Sequence, residues 1–244
     1  MFQSLKSLFV KKIENKGLIL NYFPLQFNDN ISIANKNVFL EKNLKFECLD
    51  PSNSQKEVFS HYLSVSKDYD KLMFQGMGIS FEIIEILPGL IGREYNKTCS
   101  LYAKNDFKEF ESLFELVYGE AYFFLEKIND NKIIKIIKVQ KGNKIIIPKN
   151  YSFTIINTSP DKPLIIYNLH SNEFNYEKKN FEKNSGTILY LTKNKGFVRN
   201  KNVSPIYTLE EFNGDYIGEY QFNPELSIYD EFIALPEKFN FLKD

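Results

Sequence analysis

The stretch Gly142–Asn157, "GNKIIIPKNYSFTIIN", decides the fold. It runs Gly142, five residues, Pro148, four residues, Phe153, three residues and Asn157. Gly142 opens a turn that calls for positive φ. "KIII" is too short for a helix and rich in β-branched residues, so it reads as a buried strand. Pro148 cannot donate to a ladder and stops the strand at a sheet rim. Asn150 is the best non-glycine tenant of a left-handed turn. "SFTIIN" then starts a second strand, and Asn157 sits at the next turn.

Outward from this stretch the same grammar repeats. "GISFEIIEILP" predicts a strand ending near Pro88, and "GREYNKTCSLYA" alternates as another. "FESLFELVYGEAYFFLEKI" divides into two strands at Gly119. "NDN" at 129–131 is a hairpin turn into "KIIKIIKVQ", where Lys132, Lys135 and Lys138 imply one wet face. "SFTIINTSPDKPLIIYNLH" gives two strands around a Pro-containing turn, and "GTILYLTKNKGFVRN" a last hairpin. Many short strands with turn chemistry between them predict an all-β jelly-roll barrel. "SLKSLFVKKI" predicts one or two helical turns. "SNSQKEVFSHYLSV", with Val58, Tyr62 and Val65 at helical spacing, predicts a short helix over 54–64. In the tail, Leu226, Tyr229, Phe232 and Ile233 lie on one face of an amphipathic helix ended by Pro236. The expected organisation is an N-terminal extension over 1–70, with short strands and a helix packed on the barrel. The barrel then spans 71–195, and a C-terminal extension over 196–244 carries the amphipathic helix.

Composition narrows the function classes. The chain has 244 residues, 43% hydrophobic and 25% charged, with a formal net charge of zero. No clustered basic surplus points to nucleic acid. The apolar runs are too short to span a bilayer, and the N-terminus lacks the cleavage pattern of a signal peptide, so no membrane partner is expected. Cys48 and Cys99 make neither a disulfide framework nor a zinc cluster, which suits a reducing cytoplasm. His61 and His170 are the only histidines, a scarcity that limits imidazole chemistry.

Residues 81–192 resemble the cupin-type glucose-6-phosphate isomerases. The similarity is carried by "LPGLIGREYNKTCSLYA", "FELVYGEAYFFLE" and "VQKGNKIIIPKNYSFTIINTSPDKPLIIYNLHSNEFNY", in the family's order and near its spacing. The resemblance implies a cupin jelly-roll β-barrel with short N- and C-terminal helical segments. It also implies conversion of glucose 6-phosphate to fructose 6-phosphate in a cytoplasmic homodimer. The "KIIKIIKV" strand or the aromatic tail is a candidate dimer surface.

The family holds a divalent metal with a His-x-His pair, a Glu and a later His. Residues two apart on a strand share a face, so such a pair aims both rings inward. In this chain the pair falls on Leu101 and Ala103, the Glu on Ser112 and the last His on Phe153. No metal or other cofactor is therefore expected. Glu111, one residue from the Glu position, faces the other way unless a bulge intervenes. His170 lies where it could turn toward the barrel mouth, and His61 is expected to be structural, on the N-terminal helix.

The resemblance implies a sugar-phosphate site at Lys97, Thr98 and Tyr176, with a point charge for phosphate and two hydroxyls. Ser100 replaces a glycine there, and Phe114 replaces a tyrosine. Glu115 is the candidate base for moving a proton between adjacent carbons, although strand alternation can point it outward. Two readings follow: an isomerase with doubtful catalysis, or a non-catalytic cupin serving as a sugar-phosphate-binding or dimeric assembly module. A metal-independent carbohydrate epimerase is a third, weaker one.

Overall fold

A computed structural model describes residues 30–50, 53–128, 133–179, 186–203 and 208–244. The helical turns expected in "SLKSLFVKKI" and the "NDN" turn lie outside the described residues. The strands are β1 (Ile31–Leu40), β2 (Glu57–Lys67), β3 (Ile79–Ile86), β4 (Leu90–Ile91), β5 (Glu94–Tyr95), β6 (Leu101–Tyr102), β7 (Ser112–Tyr118) and β8 (Glu120–Lys127). They continue with β9 (Ile133–Gln140), β10 (Lys144–Ile147), β11 (Tyr151–Asn157), β12 (Leu164–Ser171), β13 (Glu177–Lys178), β14 (Leu189–Thr192), β15 (Gly196–Arg199) and β16 (Thr208–Asn213).

Two six-stranded sheets face each other, in the orders β1-β2-β3-β12-β7-β10 and β13-β6-β11-β8-β9-β16. A four-stranded sheet, β15-β14-β5-β4, packs beside the second. The pairs are antiparallel except β16 with β9, which run parallel. The six-stranded sheets form the two walls of a cupin jelly roll without a continuous ladder closing them into a tube. β1 and β2, from the N-terminal region, extend the first wall, and β16, from the C-terminal region, extends the second.

Alternation sorts the apolar side chains into layers. Phe59, Ile84, Ile166, Phe114, Phe123, Phe153 and Ile155 meet between the walls. Tyr62, Phe81, Ile83, Leu113 and Tyr167 point out of the first wall and are covered by Ile228, Tyr229, Phe232 and Phe239 of the tail. The tail helix Ile228–Ala234 forms as its pattern predicts, with the Ser227 hydroxyl accepting from the Asp230 N–H at 3.0 Å. Phe74 stacks on Phe232 at 4.6 Å. The Tyr229 hydroxyl donates to Asp70 at 2.7 Å and accepts the Lys67 N–H at 2.9 Å.

The deciding stretch folds as read. Gly142 and Asn150 adopt φ of 91° and 67°, and the strands on either side of Pro148 belong to opposite walls. Gly119, at φ 97°, separates β7 from β8, where an added Cβ would sit 3.1 Å from the Pro163 carbonyl oxygen.

Two expectations are corrected. Residues 54–64 are not a helix: 57–67 form β2, because this segment buries both faces. Phe59 points into the inter-wall core and Tyr62 and Val65 point under the tail. That two-sided burial mimics a helical stripe. "GREYNKTCSLYA" is not one strand either. β5 belongs to the four-stranded sheet and β6 to the second wall, and the chain changes sheet between them.

Candidate functional site

Alternation also decides which polar side chains enter the barrel. On β3, Glu82 shares the inward face of Ile84 and Ile86. On β2, His61 stands opposite Ile84, and on β12, Asn168 stands opposite Glu82, with His170 two residues on. On β7, Ser112 is the cross-strand partner of His170. Three neighbouring strands thus bring the chain's only histidines to a single carboxylate.

His61 Nε2 lies 2.5 Å from Glu82 Oε2, and His170 Nε2 lies 3.1 Å from Glu82 Oε1. The other ring nitrogen of His170 is 2.7 Å from the Ser171 carbonyl oxygen. All three side chains are buried. Burial works to raise the Glu82 pKa, but the nearby His170 and His61 rings outweigh it and hold the carboxyl well below its usual range. Tyr176 covers the cluster. Its ring centroid is 5.1 Å from that of His170 and 6.2 Å from that of His61, and its hydroxyl donates to Asn168 at 3.0 Å. Burial, with the nearby Glu82 charge, pushes the Tyr176 phenol well above its ordinary pKa.

His61 therefore needs correcting: it lies on a strand, and it faces the interior. His170 turns inward. Sequence reasoning missed Glu82 altogether. The signal was present in "SFEIIEI", where alternation puts Glu82 on one face with Ile84 and Ile86.

The four positions aligned with the family's metal ligands pack as hydrocarbon and one hydroxyl. Leu101 and Phe153 are buried cross-strand partners. Phe153 packs edge-on against Phe114 at 5.0 Å and Tyr176 at 5.4 Å. Ala103 lies with Phe110 and Phe174, and Ser112 is fully buried. These side chains do not fit a divalent cation. Among the described residues, no group of three His, Cys, Asp or Glu is arranged to share one. In the His61–Glu82–His170 cluster each ring meets a different carboxylate oxygen, so the carboxylate separates the rings.

The expected phosphate site is not assembled. Lys97 is buried, and its ammonium donates to Glu94 and to the Glu47 carbonyl, both at 2.6 Å. Although burial opposes it, the Glu94 charge keeps the Lys97 pKa above its ordinary value. The lysine is thus a neutralised structural ion and offers no point charge to a phosphate. The Thr98 hydroxyl accepts the Ile155 N–H at 3.0 Å, which occupies it in joining strands. Of the three candidates, only Tyr176 borders the interior cluster.

Glu115 lies on the opposite face of β7, next to Leu113, and accepts the Ile228 N–H at 2.6 Å beneath the tail helix. Burial raises its pKa. Glu111 is bonded by the Tyr220 hydroxyl at 3.1 Å. Cys48 and Cys99 are free thiols, and burial pushes each up to about 12.

Two facing walls with an apolar interior between them define a cupin jelly roll. The chain belongs to the glucose-6-phosphate isomerase (GPI) family, whose model matches residues 36–208. No curated protein matches its sequence. Among solved structures, it is 12% identical to vicilin from Capsicum annuum over 50% of this chain and 30% of that one, with a TM-score of 0.38. It is 12% identical to a Solanum melongena vicilin over 58% of this chain and 34% of that one, with a TM-score of 0.39. For oxalate decarboxylase from Lactobacillus farciminis the values are 19% identity, 51% and 32% coverage and a TM-score of 0.39. The chain spans about a third of the length of each of these three. No helix among the described residues is long and apolar enough to cross a membrane.

Proposed function

We propose that this member of the family is a non-catalytic cupin, a binding or assembly module that keeps the isomerase frame without its metal chemistry. One observation carries the reading. Phe153 stands buried against Phe114, Tyr176 and Leu101, at the centre where the family's metal ligands align. Aldose–ketose isomerisation needs a base at the migrating proton and a group that polarises the carbonyl. Glu115, the one base expected from sequence, serves the tail helix on the other side of the wall.

The His61–Glu82–His170 cluster favours a second reading, metal-independent proton transfer on a sugar phosphate. An imidazole would take the proton from the hydroxyl-bearing carbon and return it to the neighbouring carbon of the enediol. Tyr176 would have to move aside to admit the sugar.

A coupled assay with glucose 6-phosphate, run with and without chelator, separates the readings. The expected result is no turnover above background in either condition. Turnover that survives chelator and disappears in His61→Gln selects the second reading. Chelator-sensitive turnover overturns both.

A further inference from the structure

A cavity of about 1070 Å³ lies away from the barrel centre. It opens between Lys45, Phe46, Cys48, Leu49 and Asn53 on one side and the β14–β15 hairpin on the other. Its charged lining residues are Lys45, Arg93, Lys195, Arg199 and Lys201, and no carboxylate is among its described lining residues. The whole chain carries no net charge, so this is a local concentration of cations. Arg93 is committed to Asp50 through two bonds of 2.8 and 2.7 Å. Lys45, Lys195 and Lys201 have no ion-pair partner among the described residues. Asn53, Asn194 and Asn202 also line it.

One wall of the cavity is closely packed at Gly186. Gly186 adopts φ 57°, and a Cβ there would lie 2.7 Å from the Tyr190 hydroxyl and 3.0 Å from the Asn200 amide nitrogen. Phe46, 46% exposed, supplies an apolar face at the entrance, with the Lys45 ammonium 4.8 Å above its ring. Small-molecule sites have volumes of roughly 300–1,000 Å³, so this cavity is large enough for one. Lysines around a concavity suit a compact polyanion, whereas a nucleic acid calls for a stripe that follows its backbone.

We propose that this cavity binds a phosphorylated small molecule bearing at least two negative charges. The site is independent of the barrel interior and of whether that interior is active. Inorganic pyrophosphate titrated calorimetrically into the full chain at low ionic strength tests it. Saturable binding that weakens with added salt is expected, with a loss of about tenfold or more in the Lys45→Ala/Lys195→Ala/Lys201→Ala variant. These side chains are exposed, so the variant should keep the wild-type melting temperature, and the charge-retaining Lys195→Arg should bind like wild type. Absence of saturable heat at about 5 mM pyrophosphate, in the millimolar affinity range, overturns the proposal. Unchanged affinity in a folded triple variant also overturns it, as does tighter binding of a single-stranded oligonucleotide than of pyrophosphate.

Discussion

Glu82 carries a charge into a largely apolar interior, and two imidazoles keep it there. Its pKa is depressed in the folded state, so the unfolded chain binds the extra proton between the two values. Stability from this group is therefore complete above the ordinary carboxylate pKa of about 4.3 and is lost as pH falls below it. Glu82→Gln should cost about 3 kcal/mol at neutral pH, the range for breaking a buried pair, and should flatten this part of the acid limb. Urea unfolding between neutral and acid pH measures both effects. Glu115 behaves in the opposite sense. Burial raises its pKa, so its ionised form opposes folding as pH rises through the window between the unfolded and folded values. Glu115→Gln should thus match or exceed wild-type stability at neutral pH, because the amide oxygen still accepts the Ile228 N–H. Glu115→Leu should lose about 1–2 kcal/mol by orphaning that donor. Phe153→His would put a polar ring among Phe114, Leu101 and Tyr176, and should lower stability by about 2 kcal/mol. A divalent cation should not restore its melting temperature, as thermal scans with and without manganese can check.

At the scale of elements, the strands on either side of Pro148 were legible because each rests on short-range chemistry. Gly142 and Asn150 take the positive φ that their turns demand, and Gly119 breaks β7 from β8. β2 was not legible as a strand. Both its faces are buried, one by the opposite wall and one by a tail about 160 residues later in the chain, as the Tyr229–Lys67 bond records. Its apolar positions therefore follow tertiary contacts that no local period reports. The site was obscured for the same reason. His61 reads as a helix residue until β2 is known to be a strand, and only pairing of β2, β3 and β12 brings it to Glu82 beside His170. Lys97 illustrates the converse. Its residue type suits a phosphate, but its partners Glu94 and Glu47 were invisible from sequence. The tail helix hangs on Ser227, and Ser227→Ala should cost about 1 kcal/mol in thermal or urea unfolding.

Across the whole molecule, the two walls depend on elements near both ends of the chain. The β9 edge is paired by β16, and the tail aromatics pack on the chain's own first wall. A chain ended after Asn213 would bare Phe81, Ile83 and Tyr167, and should be recovered aggregated or with collapsed near-ultraviolet dichroism. The two free thiols offer a way to watch the intact protein breathe. Cys99 is 1% exposed and Cys48, which lines the cationic cavity, 6%, and burial pushes each thiol up to about 12, so neither sulfur is a good nucleophile in the closed fold. Alkylation of Cys99 by iodoacetamide should thus proceed only through opening. Its rate there clocks how often the neighbouring segment comes apart, and a ligand that clamps that segment should slow the clock.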